Sequence, residues 1–107
     1  MARLVVYVRP GCPDTWRWRR WVSEHPVDHL EVDIASDAEA RARLRAWTGH
    51  EPVPTLVIAA DDGFEPIREP EPLNGRRIRA CDRGTLLCEP NPGQIEPYLA
   101  RHGIAVA

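Results

Sequence analysis

No lysine occurs in this 107-residue chain: all 14 of its basic residues are arginine. Chemistry that needs a lysine, Schiff bases and Walker-type phosphate loops included, is therefore excluded. Long apolar runs are missing as well. The longest, Leu4–Val8 and Leu56–Ala60, have five residues each, far short of the roughly 20 that span a bilayer, so no membrane partner is expected. Surplus basic charge is also absent. A formal charge of −2 speaks against a nucleic-acid partner, because phosphate binding needs basic charge concentrated on one face. Cysteine is sparse: Cys12, Cys81 and Cys88 are an odd count with no Cys-x-x-Cys pair. That argues against a disulfide-stapled secreted scaffold and for at least one free thiol. The histidines (His25, His29, His50, His102) never fall at spacings that complete a zinc site with these cysteines, and no metal site is expected. Strand-like sequence follows directly after Met1-Ala2-Arg3 without a signal-peptide pattern, so the expected location is the reducing cytoplasm.

What is present is globular. With 43% hydrophobic and 28% charged residues, the length suits a single domain over residues 1–107. Leu4-Val5-Val6-Tyr7-Val8 is a continuous apolar run, the pattern of a strand buried on both faces. From Pro13 to about Glu24, Trp18, Trp21 and Val22 recur at helical spacing while Trp16, Arg17, Arg19 and Arg20 point elsewhere. Leu30 to Ile34 alternates as a second strand. Ser36-Asp37 starts a helix from Ala38 to about Thr48, with Gly49 as its C-cap. Thr55 to Ala60 is a third strand, followed by the turn Asp61-Asp62-Gly63. Phe64 to Arg83 resists assignment and is expected to be a solvated insertion, about 61–84. Thr85 to Cys88 forms a fourth strand, and Asn91-Pro92-Gly93 leads into a last helix to about His102. The order βαβ-α-ββα predicts an α/β sandwich of three layers, with helices on both faces of the sheet.

One turn carries chemistry. Arg9-Pro10-Gly11-Cys12-Pro13 lies where the first strand becomes the first helix. A cysteine just ahead of a helix meets unpaired N–H groups and the positive end of the helix dipole, which favour thiolate over thiol. Pro13 suits the first helical position, where its missing N–H has no partner to lose. Arg9 and Arg17 add positive charge, whereas the carboxylate of Asp14, expected to be solvent-exposed, opposes a second negative charge beside it. Thr15, one turn on, is either a helix-facing hydroxyl or a donor to the sulfur. Pro54 stands at the first residue of the third strand, where a missing donor lies outside the ladder. A cis bond there turns the backbone groups of Val53 toward an extended ligand.

At this point the sequence resembles a glutaredoxin of the thioredoxin-like superfamily. Val5-Val6-Tyr7-Val8-Arg9-Pro10-Gly11-Cys12-Pro13 is similar to the family's first strand and active-site turn, and Val53-Pro54-Thr55 to its cis-proline motif. The likeness covers Met1–Ala60 and returns more weakly over Thr85–Gly103, where Asn91-Pro92 is similar to the actinobacterial mycoredoxins. It implies a thioredoxin-like, glutaredoxin-type fold with a nucleophilic Cys12. It also implies that Arg9 binds a carboxylate of a thiol tripeptide, that Pro13 and Val53 line the ligand, and that Pro54 shapes the groove. For Arg9 the alternative is a solvated surface charge.

Several departures stand beside the likeness. Cys-Pro-x-Cys has become Cys12-Pro13-Asp14-Thr15, which removes the resolving cysteine. The Cys-Gly-Phe-Ser signature of cluster-carrying relatives is absent, as is the Gly-Gly and Ser/Cys-Asp turn that grips the amino end of glutathione. Were Asp82-Arg83-Gly84 a tight turn, Cys81 would face Thr85 and be poorly placed to bridge Cys88. Cys88 then belongs to the core, and Cys81 is either inert or a resolving thiol in a mobile segment. The expected function is a monothiol glutaredoxin-like thiol–disulfide oxidoreductase acting on protein mixed disulfides of a low-molecular-weight thiol. Glutathione or a mycothiol-type thiol is the co-substrate, with no tightly bound cofactor. The alternative is a catalytically inactive thioredoxin-fold module that binds proteins.

Overall fold

A computed structural model describes residues 2–107. The chain runs β1 (Ala2–Val8), α1 (Pro13–Glu24), β2 (His29–Asp33), α2 (Ala38–Thr48), β3 (Thr55–Ala60), β4 (Cys81–Asp82), β5 (Leu86–Cys88) and α3 (Pro92–Arg101). The sheet order is β2-β1-β3-β5-β4. β1 pairs in parallel with β2 and antiparallel with β3, which sets Tyr7 against Thr55. Period-two alternation along β1 sorts the two halves of the core. Leu4, Val6 and Val8 face α1 and α3, packing with Trp18, Trp21, Ile95, Tyr98 and Leu99. Val5 and Tyr7 face α2, packing with Ala40, Leu44 and Val57. The result is the mixed α/β, thioredoxin-like architecture, with α1 and α3 on one face of the sheet and α2 on the other.

Local chemistry explains the helix ends. The Asp37 side chain accepts the Ala40 N–H at 3.0 Å, satisfying one of the free donors at the start of α2. Gly49 ends that helix with φ 76°, a left-handed conformation that a side chain would strain. Trp18 and Trp21, 2% and 9% exposed, belong to the core, while Trp16 on the opposite side of α1 is 61% exposed.

The segment between β3 and β5 departs from expectation in two ways. First, it contributes a fifth strand, β4, and it is tied to the body of the protein. Ile67 N–H donates to the Ile58 carbonyl at 2.8 Å, and the Tyr7 hydroxyl to the Phe64 carbonyl at 2.7 Å. The Arg83 guanidinium donates to the Trp47 carbonyl at 2.9 Å. Second, Cys81 stands opposite Cys88, not Thr85. Ala80, at φ 59°, also donates its N–H to the Cys88 carbonyl at 2.8 Å, so two residues of one strand oppose one of the other, as in a β-bulge. Both cysteines are free and buried. Cys81 is therefore no mobile thiol: it is packed in the sheet.

Candidate active site

Gly11, at φ 86°, turns the chain from β1 into α1 and has nothing within 4 Å of the space a Cβ would take. Only its backbone conformation demands glycine. Cys12 is the N-cap of α1, extended at φ −81° and ψ 131°, with Pro13 at the first helical position. Its N–H donates to the Arg9 carbonyl at 3.3 Å, and its carbonyl accepts the Trp16 N–H at 3.1 Å. The side chain is half-buried and packs against the cluster that contains Tyr7 and Val53. Pro13 is exposed beside it.

The Val53–Pro54 peptide bond is cis. Both residues are buried. Continuing the β1–β3 register past Tyr7 and Thr55 sets Val8 against Pro54 and Arg9 against Val53. The ladder is not in fact continued there: Val53 makes no backbone hydrogen bond among the described residues, while the Pro54 carbonyl accepts from Glu89 N–H at 2.8 Å. A small cleft of about 40 Å³ lies behind this turn, with Asp14, Trp18, Pro54, Arg79 and Asn91 among its walls.

The charges around Cys12 differ from those expected. Asp14 is not a free, solvated carboxylate. Arg79, from the segment before β4, donates from Nη1 to Asp14 Oδ2 at 2.8 Å and also pairs with Glu89. Arg17 lies 3.3 Å from the other Asp14 oxygen. The Arg79 hydrogen bond, helped by Arg17, holds the Asp14 carboxyl below the usual aspartate range. The charge that was expected to oppose a thiolate at Cys12 is thus compensated within the chain.

Arg9 is neither unpaired nor simply solvated. Its Nη2 sits 2.6 Å from Glu51 Oε1, and the same carboxylate takes Arg45 at 2.6 Å and Arg41 at 3.0 Å. Hydrogen bonding from Arg45, with Arg41 and Arg9 adding to it, pushes the Glu51 carboxyl below the usual glutamate range.

Thr15 is fully buried, and its hydroxyl has no hydrogen-bond partner. The donation to the Cys12 sulfur considered from the sequence is not formed. The Thr15 side chain points under α1 into the core, where spacing of one helical turn does not by itself bring hydroxyl and sulfur together. Arg79, Glu89, Glu51, Arg41 and Arg45 were not legible as site residues, because the pairs that tie them to the Cys12 turn, Arg79 to Asp14 and Glu51 to Arg9, span 65 and 42 residues. Proximity of Glu51 to the Pro52-Val53-Pro54 run is the one local hint. Among the described residues no group of three or more His, Cys, Asp or Glu side chains is placed to hold a metal ion.

Residues 4–62 match the family model described as Glutaredoxin. The chain belongs to the glutaredoxin family. The thioredoxin-like protein BC3987, solved by crystallography, shares 30% sequence identity over 59% of this chain and 89% of that one, with a TM-score of 0.47. No curated protein matches in a search with the whole sequence. Glutaredoxins generally act on thiols and protein disulfides, and the matched domain supports a thiol–disulfide oxidoreductase-like function. The match spans β1 to β3 and so includes Cys12, Val53 and Pro54. No helix of this glutaredoxin is long and apolar enough to cross a membrane among the described residues.

Proposed function

We propose that this glutaredoxin is a monothiol oxidoreductase that removes a low-molecular-weight thiol, of glutathione or mycothiol type, from protein mixed disulfides. The Cys12 thiolate attacks the sulfur of the small thiol, forming a bond to it as the bond to the protein sulfur breaks. The electron pair leaves with the protein, which departs as its own thiolate and takes up a proton. A second small thiolate then attacks the adduct on Cys12, giving the disulfide of two small thiols and restoring the Cys12 thiolate. Neither step uses a second cysteine of the chain.

The observation that carries this reading is the position of Cys12: half-exposed at the N-cap of α1, packed against the cluster that holds Val53. The positive end of the α1 dipole lies at this position. The unpaired backbone of Val53, beside cis Pro54, supports pairing with an extended thiol ligand. Pro13, exposed after Cys12, and Arg9, whose carbonyl accepts the Cys12 N–H, belong to the same turn. Thr15 has no part in the proposal, and Cys81 and Cys88 stay buried in the sheet. The test is turnover of a peptide carrying glutathione or mycothiol in mixed disulfide, by wild type and by Cys12→Ser. Loss of turnover in the variant supports the reading, whereas equal rates point to the protein-binding module.

A further inference from the structure

Arg9, the guanidinium three residues before the nucleophile, already holds a carboxylate of its own chain. The Glu51 side chain is 16% exposed, the most shielded member of its cluster, whereas Arg9, Arg41 and Arg45 are 43%, 56% and 54% exposed. Two of the three contacts are at 2.6 Å, the short range of charge-assisted bonds. Glu51 sits two residues before Val53, so its carboxylate belongs to the same stretch as the Val53 backbone, which makes no backbone hydrogen bond among the described residues.

From this arrangement we propose that Glu51 is a specificity residue: an internal carboxylate that occupies Arg9 and disfavours small thiols bearing a carboxylate at that end. The preferred co-substrate class has a neutral group there, an amide, ester or hydroxyl, that accepts from the remaining N–H donors of Arg9. The inference rests on the proposed site but not on its chemistry. A ligand carboxylate brought to Arg9 must share one guanidinium with Glu51, a like-charge contact at close range. Displacing Glu51 instead breaks its pairing with Arg9 and disturbs a carboxylate held by two other arginines. A neutral acceptor meets neither obstacle. Arg41 and Arg45 lie more than half exposed on α2, where solvent screens the attraction they offer a second anion.

The experiment is calorimetric titration of S-methylglutathione and of its glycyl ethyl ester into wild type and Glu51→Gln. The two ligands differ by one carboxylate, and neither reacts with Cys12. Wild type should bind the ester at least as tightly as the acid. Glu51→Gln should bind the acid about tenfold more tightly than wild type does, with ester affinity changed less than about twofold. A general loss of structure shifts both ligands together, so the acid-to-ester ratio separates specificity from folding. If Glu51→Gln does not fold, the wild-type ratio decides alone. Acid binding severalfold tighter than ester in wild type overturns the proposal, and so does a ratio unmoved by the substitution. Absence of binding by either ligand to both proteins overturns it too. A Cys12→Ser variant that keeps full turnover defeats the proposed function without touching this ratio.

Discussion

Arg79 and Asp14, 65 residues apart in sequence, meet at 2.8 Å between Nη1 and Oδ2, next to the N-cap cysteine. The segment between β3 and β5 thereby supplies the cation that compensates the carboxylate two residues after Cys12. Removing it in Arg79→Ala should leave that carboxylate opposing a thiolate at Cys12. Alkylation of Cys12 by iodoacetamide at pH 7 should slow by about threefold, more at low salt than at high. Adding Asp14→Asn should restore the rate. An unchanged rate in Arg79→Ala at low salt would count against electrostatic compensation.

The three thiols should differ sharply in reactivity. Burial pushes the Cys88 thiol up to about 11, the Thr55 contact opposing it only in part, and Cys81 is 6% exposed opposite it. Because the folded-state value is raised, Cys88 stays protonated through neutral pH and ionises only as the pH approaches 11. Mass spectrometry after brief alkylation at pH 8 should show one modified residue, Cys12, in the native protein. Three should be modified in denaturant. Comparable native labelling of Cys81 or Cys88 would contradict the buried pairing.

Thr15 offers a stability test. Its hydroxyl is enclosed without a partner, a desolvation cost of about 1–3 kcal/mol. Thr15→Val keeps the branched shape and deletes the unpaired group. Chemical denaturation should show stability raised by about 1 kcal/mol, and mixed-disulfide turnover should remain within about twofold. A large loss of turnover in a folded Thr15→Val would restore the hydroxyl to the mechanism.

Acid sensitivity should come partly from His102. Burial, with the charge of Arg101 beside it, holds this imidazole below the usual histidine range, and its Nε2 is enclosed without a partner. The unfolded chain then binds a proton that the folded one resists, so stability rises with pH across this window. The contribution is fully present above about 6.5, the ordinary histidine value, and is lost as the pH falls from there toward the folded-state value. His102→Gln should flatten the denaturation midpoint between pH 7 and pH 5 relative to wild type. Parallel pH profiles would contradict it.

The elements that repeat or punctuate locally were legible in the sequence. Strand β1 stands out as an apolar run. The burial of Trp18 and Trp21 against the exposure of Trp16 follows from 3.6-residue spacing, and α2 carries its own start at Asp37 and stop at Gly49. β2 begins one residue earlier than its alternation suggests, at His29. β4 was hidden because it is two residues long and depends on pairing with β5 across a bulge at Ala80. Tertiary pairing, not propensity, makes it a strand. The position of Cys12 at a helix start was visible for the same local reasons as α2. Its charge environment was not: the Arg9–Glu51 pair spans 42 residues and the Arg79–Asp14 pair 65. Ion pairs between distant stretches of a chain leave no periodic trace.

The central claim is that Cys12 alone accepts the small thiol. Intact-mass analysis of reduced protein mixed with a peptide in mixed disulfide with mycothiol, quenched by acid within seconds, tests it most directly. The account predicts one small-thiol adduct per chain, located on Cys12 by peptide mapping, with the freed peptide in equal amount. An internal disulfide joining Cys12 to another cysteine, or release of the peptide with Cys12 unmodified, would contradict it.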